Sequence, residues 1–352
     1  MLVGHSLVRR QVLFGLLVSA GAVYLFLRVV DLGQMAEALA RMHPLYLIPC
    51  TAIYLVSFAF RVLRWQYLMK PVARVGFRSL LSAFFIGALG NNLLPAHMGE
   101  LVRAYVVGRK EGVSKSAVLA TVVLERVYDG LTVLFMLLVV LLFMDMPERG
   151  VEGSVLTAQG LRAAGWLALL LFAGLMAGLQ FLRWKRRHML LFLSFCLRPL
   201  PEKFRDRALE MAGSFADGLE VTRAGDLLWV IIYSLLTWGF LGLWAWSLFP
   251  AFDLQLGLMA GFLLEVVIAL ALLIPSAPAF LGTFHMAAAF TLGYLGAPSG
   301  KAGSYAIILW MVNFLCTSLL GIYFLWRGGM GLRALSREEA PQAASEELRP
   351  NG

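Results

Sequence analysis

The chain has 352 residues, 60% of them hydrophobic and 14% charged, with a mean hydropathy of +0.78. No soluble domain has that balance, so soluble enzymes are excluded and the chain reads as an all-α polytopic membrane protein. The net charge of +9 comes from basic residues placed between apolar segments. That is the positive-inside pattern of cytoplasmic loops and not a nucleic-acid footprint.

Arg9 and Arg10 precede an apolar run over 12–30. It reads as a retained first span, although Ala20-Gly21-Ala22 mimics a cleavage site. Residues 31–43 read as a short polar connection. A second span over 44–60 ends at Arg61, Arg64, Lys70, Arg74 and Arg78. The positive-inside rule makes that cluster cytoplasmic, and the N-terminus with it. The next cationic group is Arg103, Arg109, Lys110 and Lys115, expected on the same side. The stretch between the two groups must therefore enter and return, as a re-entrant hairpin broken around Asn91, Asn92, Pro95 and Gly99. Pro95 removes a backbone donor and drives Leu94 away from helical angles.

Ser114 is a plausible N-cap for a helix that stays apolar to Phe143. At about 1.5 Å per residue, Glu125 lies roughly 15 Å beyond Lys115, near the middle of a ~30 Å hydrocarbon core. Glu125, Arg126 and Asp129 would each cost about 2.5–3.5 kcal/mol if they faced lipid there. They must be paired, and must face protein or water.

An acidic loop over 145–152 fits the outside. A span over 161–182 returns to Arg183, Lys185, Arg186 and Arg187. Residues 199–223 read as a cytoplasmic amphipathic helix, lying on the membrane or on the bundle. A span over 227–249 crosses outward. Residues 256–295 are apolar but broken at Pro275, Pro278 and Gly282, and a last span covers 305–325. The tail over 331–352 reads as disordered and cytoplasmic, leaving 1–330 as a single transmembrane domain.

Charge counting alone leaves 256–295 as two spans or as a second hairpin. A sparse internal repeat favours the hairpin. Tyr54, Trp65 and Pro71 recur as Tyr233, Trp244 and Pro250; Pro95-Ala96-x-x-Gly99 recurs as Pro278-Ala279-x-x-Gly282; Arg126-x-x-Asp129 is matched by Trp310-x-x-Asn313. The halves, about 8–145 and 158–328, then each hold three transmembrane helices and a broken re-entrant hairpin. An odd number of crossings makes them inverted-topology repeats, an architecture of transporters.

Glu100, Arg103, Glu125, Arg126 and Asp129 are the candidate site. Guanidinium forks of Arg103 and Arg126 match phosphate or carboxylate oxygens, and the carboxylates would orient them or carry protons. The alternative is that these charges only pair with one another and pin the hairpin. Asn91 and Asn92 first satisfy the backbone of the broken helix, with a substrate contact as their second role. Glu265, a carboxylate in the second hairpin, and His97 and His285, at or just past the two breaks, are secondary candidates. The many Trp and Phe read as interface belts and lipid-facing surface. Cys50, Cys196 and Cys316 have neither metal nor disulfide spacing, and the histidines form no paired-ligand pattern, so no metal or cofactor is expected.

These residues resemble the lysylphosphatidylglycerol synthase transmembrane-region family, also described as flippase-like membrane proteins. The resemblance rests on NNLLPAHMGELVRA, on GVSKSAVLATVVLERVYD and on IPSAPAFLGTFHMAAAFTLGYLGAP, and runs from about residue 8 to 327. It highlights Asn92, Pro95, Gly99, Glu100, Arg103, Glu125, Arg126 and Asp129, then Pro275, Pro278 and Gly282. Two departures stand out. The family usually has Glu at the position of His285, and commonly Arg at that of Trp310. If those two normally pair, both partners are replaced together here. His97 also stands where a basic residue such as Arg is common.

In its bifunctional members the resemblance implies lipid translocation by this region and lipid aminoacylation by an appended soluble domain. The chain ends soon after the last span, so translocation is the expectation. The expected partner is an anionic membrane lipid, and the expected place the cytoplasmic membrane of a bacterium or archaeon, with both termini inside. Alternatives are a membrane-embedded enzyme acting on lipid-linked phosphate, or a non-catalytic accessory protein.

Overall fold

The structure is a computed structural model that describes residues 17–94, 98–144, 224–274 and 276–328, with isolated positions between 170 and 209. Every element among the described residues is helical. In chain order they are α1 (Leu17–Val29), α2 (Leu32–Ala40), α3 (Leu47–Met69), α4 (Phe77–Leu93), α5 (Gly99–Glu111), α6 (Lys115–Phe143), α7 (Ala224–Ser247), α8 (Leu258–Ala271), α9 (Thr283–Tyr294) and α10 (Ser299–Arg327).

Among the described residues, four segments are long and apolar enough to cross a membrane: Pro44–Met69, Lys115–Phe143, Gly225–Phe252 and Ser299–Arg327. The pair α1 and α2, bent by 80° at Val30 and Asp31, gives a fifth if it is one span. The expected span over 161–182, the loop over 145–152, the amphipathic segment over 199–223 and the tail lie outside the described residues. So do Pro95, His97 and Pro275.

Local chemistry accounts for the element boundaries. Ser114 caps α6, its hydroxyl accepting from the Ala117 amide at 3.5 Å. Leu94 is extended at φ −110° and ψ 145°, as a residue before proline should be. Asn91 and Asn92 differ from expectation: α4 runs through them, and the break falls after Leu93. The connection over 31–43 also differs, because it contains α2. Asp31 starts that helix by accepting from the amides of Gly33 and Gln34 at 2.9 and 3.0 Å, which satisfies two orphan donors.

The backbone of the architecture is the pair α3 and α7. They run antiparallel along their length. Tyr54 stacks on Trp244 with ring centroids 4.2 Å apart, Phe60 lies 5.1 Å from Phe240, Arg64 Nη1 donates to Ser234 at 3.1 Å, and Lys70 pairs with Asp226. This seam corrects the reading of the aromatics as lipid-facing belts. Trp65, Trp238 and Trp244 are buried, as are Phe58, Phe84, Phe85 and Phe249. The physical reason is that apolar burial between helices yields little against lipid tails. Aromatic packing, close backbone approach and interhelical hydrogen bonds hold the bundle instead.

α4 and α5 form an antiparallel pair joined at the break. Ser79 donates to Glu111 at 2.5 Å at one end, and Gly90 meets Gly99 at the other. A Cβ at Gly99 would collide with the Gly87 carbonyl oxygen and with Asn91, so only glycine permits this approach. The two helices have 17 and 13 residues, short of the ~20 that a span needs. α8 and α9 are shorter still as a pair, with 14 and 12 residues. Asp253, before α8, pairs with Lys301, after α9, at 3.8 Å, so the outer ends of this helix pair lie close together. Its turn holds Ala279 at φ 56°, Phe280 at φ 57° and Gly282 at φ 86°. The Ala277 amide donates to Ser19 of α1 at 2.7 Å and Trp310 Nε1 to the Ala279 carbonyl at 2.8 Å, tying that strained turn to its neighbours.

A buried guanidinium–carboxylate network as the candidate functional site

α6 brings Glu125 and Asp129 onto one buried face, four residues apart, with Arg126 at the edge of it. Glu125 is 0% exposed. Such carboxylates persist in a bundle only when guanidiniums and other donors surround them, and the neighbouring helices supply these. Arg103 of α5 donates from Nη2 to Glu125 Oε2 at 2.6 Å, and its guanidinium stacks 4.2 Å over the Trp65 ring. Arg64 of α3 donates from Nη2 to Glu125 Oε1 at 3.1 Å and holds Asp129 Oδ1 at 2.8 Å through Nη1. Trp238 of α7 donates its indole N–H to Asp129 at 2.9 Å.

Arg126 differs from these. It pairs with Glu100 at 3.0 Å, Asp129 at 3.2 Å and Glu125 at 3.5 Å, yet its side chain is 43% exposed. Arg61 of α3 is held more loosely, 3.8 Å from Asp129 and 4.0 Å from Glu125. The network therefore joins four guanidiniums, of Arg61, Arg64, Arg103 and Arg126, to three carboxylates, of Glu100, Glu125 and Asp129. One positive charge is left over, and its accessible edge is Arg126.

The expected pairing of Glu125, Arg126 and Asp129 is thus present, with Glu100 and Arg103 in the same network. Arg61 and Arg64 correct the sequence reading, which placed them at a cytoplasmic membrane face. The reason is the length of α3: it continues to Met69, and both arginines sit inside it, Arg64 with 0% exposure. One signal was available, since apolar residues resume after them at Val62, Leu63, Trp65, Leu68 and Met69. Trp238 carried no signal.

Asn91 and Asn92 bind protein groups. The Gly99 amide donates to Asn91 Oδ1 at 2.8 Å, and Asn92 Nδ2 donates to Thr317 Oγ1 and Ser318 Oγ of α10, each at 2.9 Å. Glu265 of α8 is buried, and its Oε1 accepts no hydrogen bond. His285 of α9 is buried with its ring centroid 5.1 Å from that of Trp310 and 5.8 Å from that of Phe26. The two positions singled out as departures from the family pattern are therefore neighbours. Among the described residues no group of three or more His, Cys, Asp or Glu is placed to hold a metal ion.

Residues 12–321 match the family model described as "Lysylphosphatidylglycerol synthase TM region". The chain belongs to this family. The chain is similar over most of its length to a UPF0104 membrane protein of Methanothermobacter thermautotrophicus, 22% identical across 87% of this chain and 93% of that one. A UPF0104 membrane protein of Methanocaldococcus jannaschii, MJ1078, is 23% identical across 66% of this chain and 90% of its own. Glycosyltransferase AglD of Haloferax volcanii is 31% identical over 128 residues, 36% of this chain; the match spans only 20% of AglD. No solved structure matches the chain.

Proposed function

We propose that the chain is a flippase-like transporter that moves an anionic or phosphate-bearing lipid across the cytoplasmic membrane, with the headgroup bound at Arg126. The observation that carries this reading is the surplus guanidinium, 43% exposed, at the edge of an otherwise buried network. Ionisable groups held at such depth are costly and mark substrate paths. A guanidinium fork suits a phosphate. Arg103 and Arg64, stapled to Glu125 and Asp129, set the field that attracts it.

We read the two halves as inverted repeats, an arrangement that suits alternating exposure of that site. The repeat-equivalent helices α3 and α7 pack antiparallel on each other. Asp129 receives a hydrogen bond from Trp238 of α7, while its counterpart Asn313 receives one from Tyr54 of α3 at 2.7 Å. The pairs α4–α5 and α8–α9 act as the two re-entrant hairpins, one entering from each side. Lys70, Arg74, Arg78, Arg109, Lys110 and Lys115 mark the cytoplasmic side.

The test is reconstitution in vesicles with a fluorescent phosphatidic acid in one leaflet. Protein-dependent movement to the other leaflet, lost in Arg126→Gln, supports the reading. Movement that is independent of the protein contradicts it. One finding favours a second reading, an enzyme acting on lipid-linked phosphate: the name glycosyltransferase carried by the Haloferax relative. That reading predicts a modified product from a labelled lipid phosphate in detergent, where no sidedness exists.

A further inference from the structure

A cavity of about 350 Å³ lies where α2, the helical turn Phe249–Phe252 and the start of α10 meet. Its walls are fixed. Ser304 Oγ of α10 donates to the Met35 carbonyl at 2.8 Å, and the His43 amide donates to the Ala251 carbonyl at 3.0 Å. Gly300 and Gly303 of α10 approach Gln34 and Val30 so closely that an added Cβ would collide with them. A volume of this size is in the range of small-molecule sites, roughly 300–1,000 Å³.

The lining carries both signs of charge over an apolar patch made by Phe252, which is buried, and Pro298. On α2, Arg41 and Glu37 close on each other at 2.6 Å. The pair on the other wall is open. Lys301 Nζ lies 3.8 Å from the Asp253 carboxylate, and His43 Nε2 lies 3.9 Å from it. Both distances exceed hydrogen-bond reach. Asp253 sits in the left-handed region at φ 51°, a conformation that Asp and Asn tolerate. α10 begins two residues before Lys301, and the free amides of a helix start add partial positive charge there.

We propose that this cavity binds a zwitterion with a primary ammonium beside a phosphate, the ammonium on Asp253 and the phosphate on Lys301 and the start of α10. The charge pattern selects that class. A simple anion would meet Glu37 and Asp253, and a simple cation would meet Arg41 and Lys301. A ligand with both charges gives Asp253 and Lys301 each the close partner it lacks. A primary ammonium donates up to three hydrogen bonds to such a carboxylate, whereas a quaternary one has no N–H to donate. The cavity lies at the starts of α3 and α10, and Lys70 and Arg327 stand at their far ends. By the positive-inside rule it therefore faces the outside. It is a site apart from Arg126 and stands without the transporter reading.

Isothermal titration of the purified full chain in a sugar-headgroup detergent tests this. The probes are short-chain phosphatidylethanolamine, phosphatidylcholine of the same chain length, and free phosphoethanolamine. The ethanolamine lipid is expected to bind about tenfold more tightly than the choline lipid. Asp253→Asn, which keeps the backbone conformation and removes the charge, should abolish that preference. Lys301→Gln should weaken binding of the ethanolamine lipid about tenfold. Phosphoethanolamine that binds as tightly as its lipid identifies a free solute as the ligand. Tighter binding of the lipid identifies a membrane headgroup. Equal binding of the two lipids to the wild type overturns the proposal, and so does a preference that persists in Asp253→Asn. Asp253→Asn should unfold at the wild-type temperature, since the side chain is exposed. A large drop would make Asp253 a structural residue and overturn the proposal too.

Discussion

Arg64 Nη1 lies 2.8 Å from Asp129 Oδ1, and this ion pair ties α3 to α6 where both side chains are closed off from solvent. The same guanidinium reaches Glu125 through Nη2 at 3.1 Å. Removing it leaves two buried carboxylates short of a donor. Arg64→Leu is therefore expected to cost on the order of 3–5 kcal/mol. Thermal unfolding in detergent, together with the yield of monodisperse protein, checks this. An unchanged unfolding temperature would mean that water reaches the network.

Arg126 behaves differently because its side chain is 43% exposed. Solvent screens its three ion pairs, so Arg126→Gln should cost only about 1 kcal/mol or less. The fold survives and ligand binding does not. Comparing unfolding temperature with phosphate affinity separates the two effects. A loss of folded protein as large as that of Arg64→Leu would assign Arg126 a structural role.

Gly99 closes the α4–α5 pair. An added methyl would meet the Gly87 carbonyl oxygen and the amide and side chain of Asn91. Gly99→Ala is expected to cost roughly 1–3 kcal/mol through overpacking. Gly130 of α6 is the control, since a Cβ there meets nothing within 4 Å. Gly130→Ala should be neutral, or stabilising by about 0.5–1 kcal/mol through helix entropy. Equal effects at the two positions would contradict the close approach.

His285 and Trp310 make a ring contact at 5.1 Å, at the two positions where the family resemblance leads one to expect Glu and Arg. His285→Glu alone buries a carboxylate without a donor and should destabilise the α9–α10 contact. Adding Trp310→Arg should recover much of that loss, as a buried pair does relative to one unpaired charge. Unfolding temperatures of the two single variants and the double variant form the cycle. Additive losses would show that the two positions do not couple.

Much of the fold was legible because its signals were long and periodic. The apolar runs gave the long helices, and Ser114, Pro95 and Gly99 marked where helices start and stop. Glu125 and Asp129 announced a buried network, since charges at mid-helix depth have no cheap alternative. Arg61 and Arg64 were hidden by their company: Lys70, Arg74 and Arg78 follow them, so all five looked like one cytoplasmic cluster. Only the apolar residues between Val62 and Met69 told against that. The short α2 was missed because its nine residues look like a polar linker. Trp238 and Asn92 bind partners far away in sequence, on α6 and α10, and nothing local encodes such contacts.

Lipid binding at Arg126 is tested most directly by mass spectrometry of the lipids retained by the purified protein, wild type against Arg126→Gln. A headgroup site at Arg126 predicts enrichment of one anionic, phosphate-bearing lipid over the bulk membrane, lost in the variant while the fold is kept. Retained lipids that match the bulk membrane in both samples would contradict a headgroup site at Arg126.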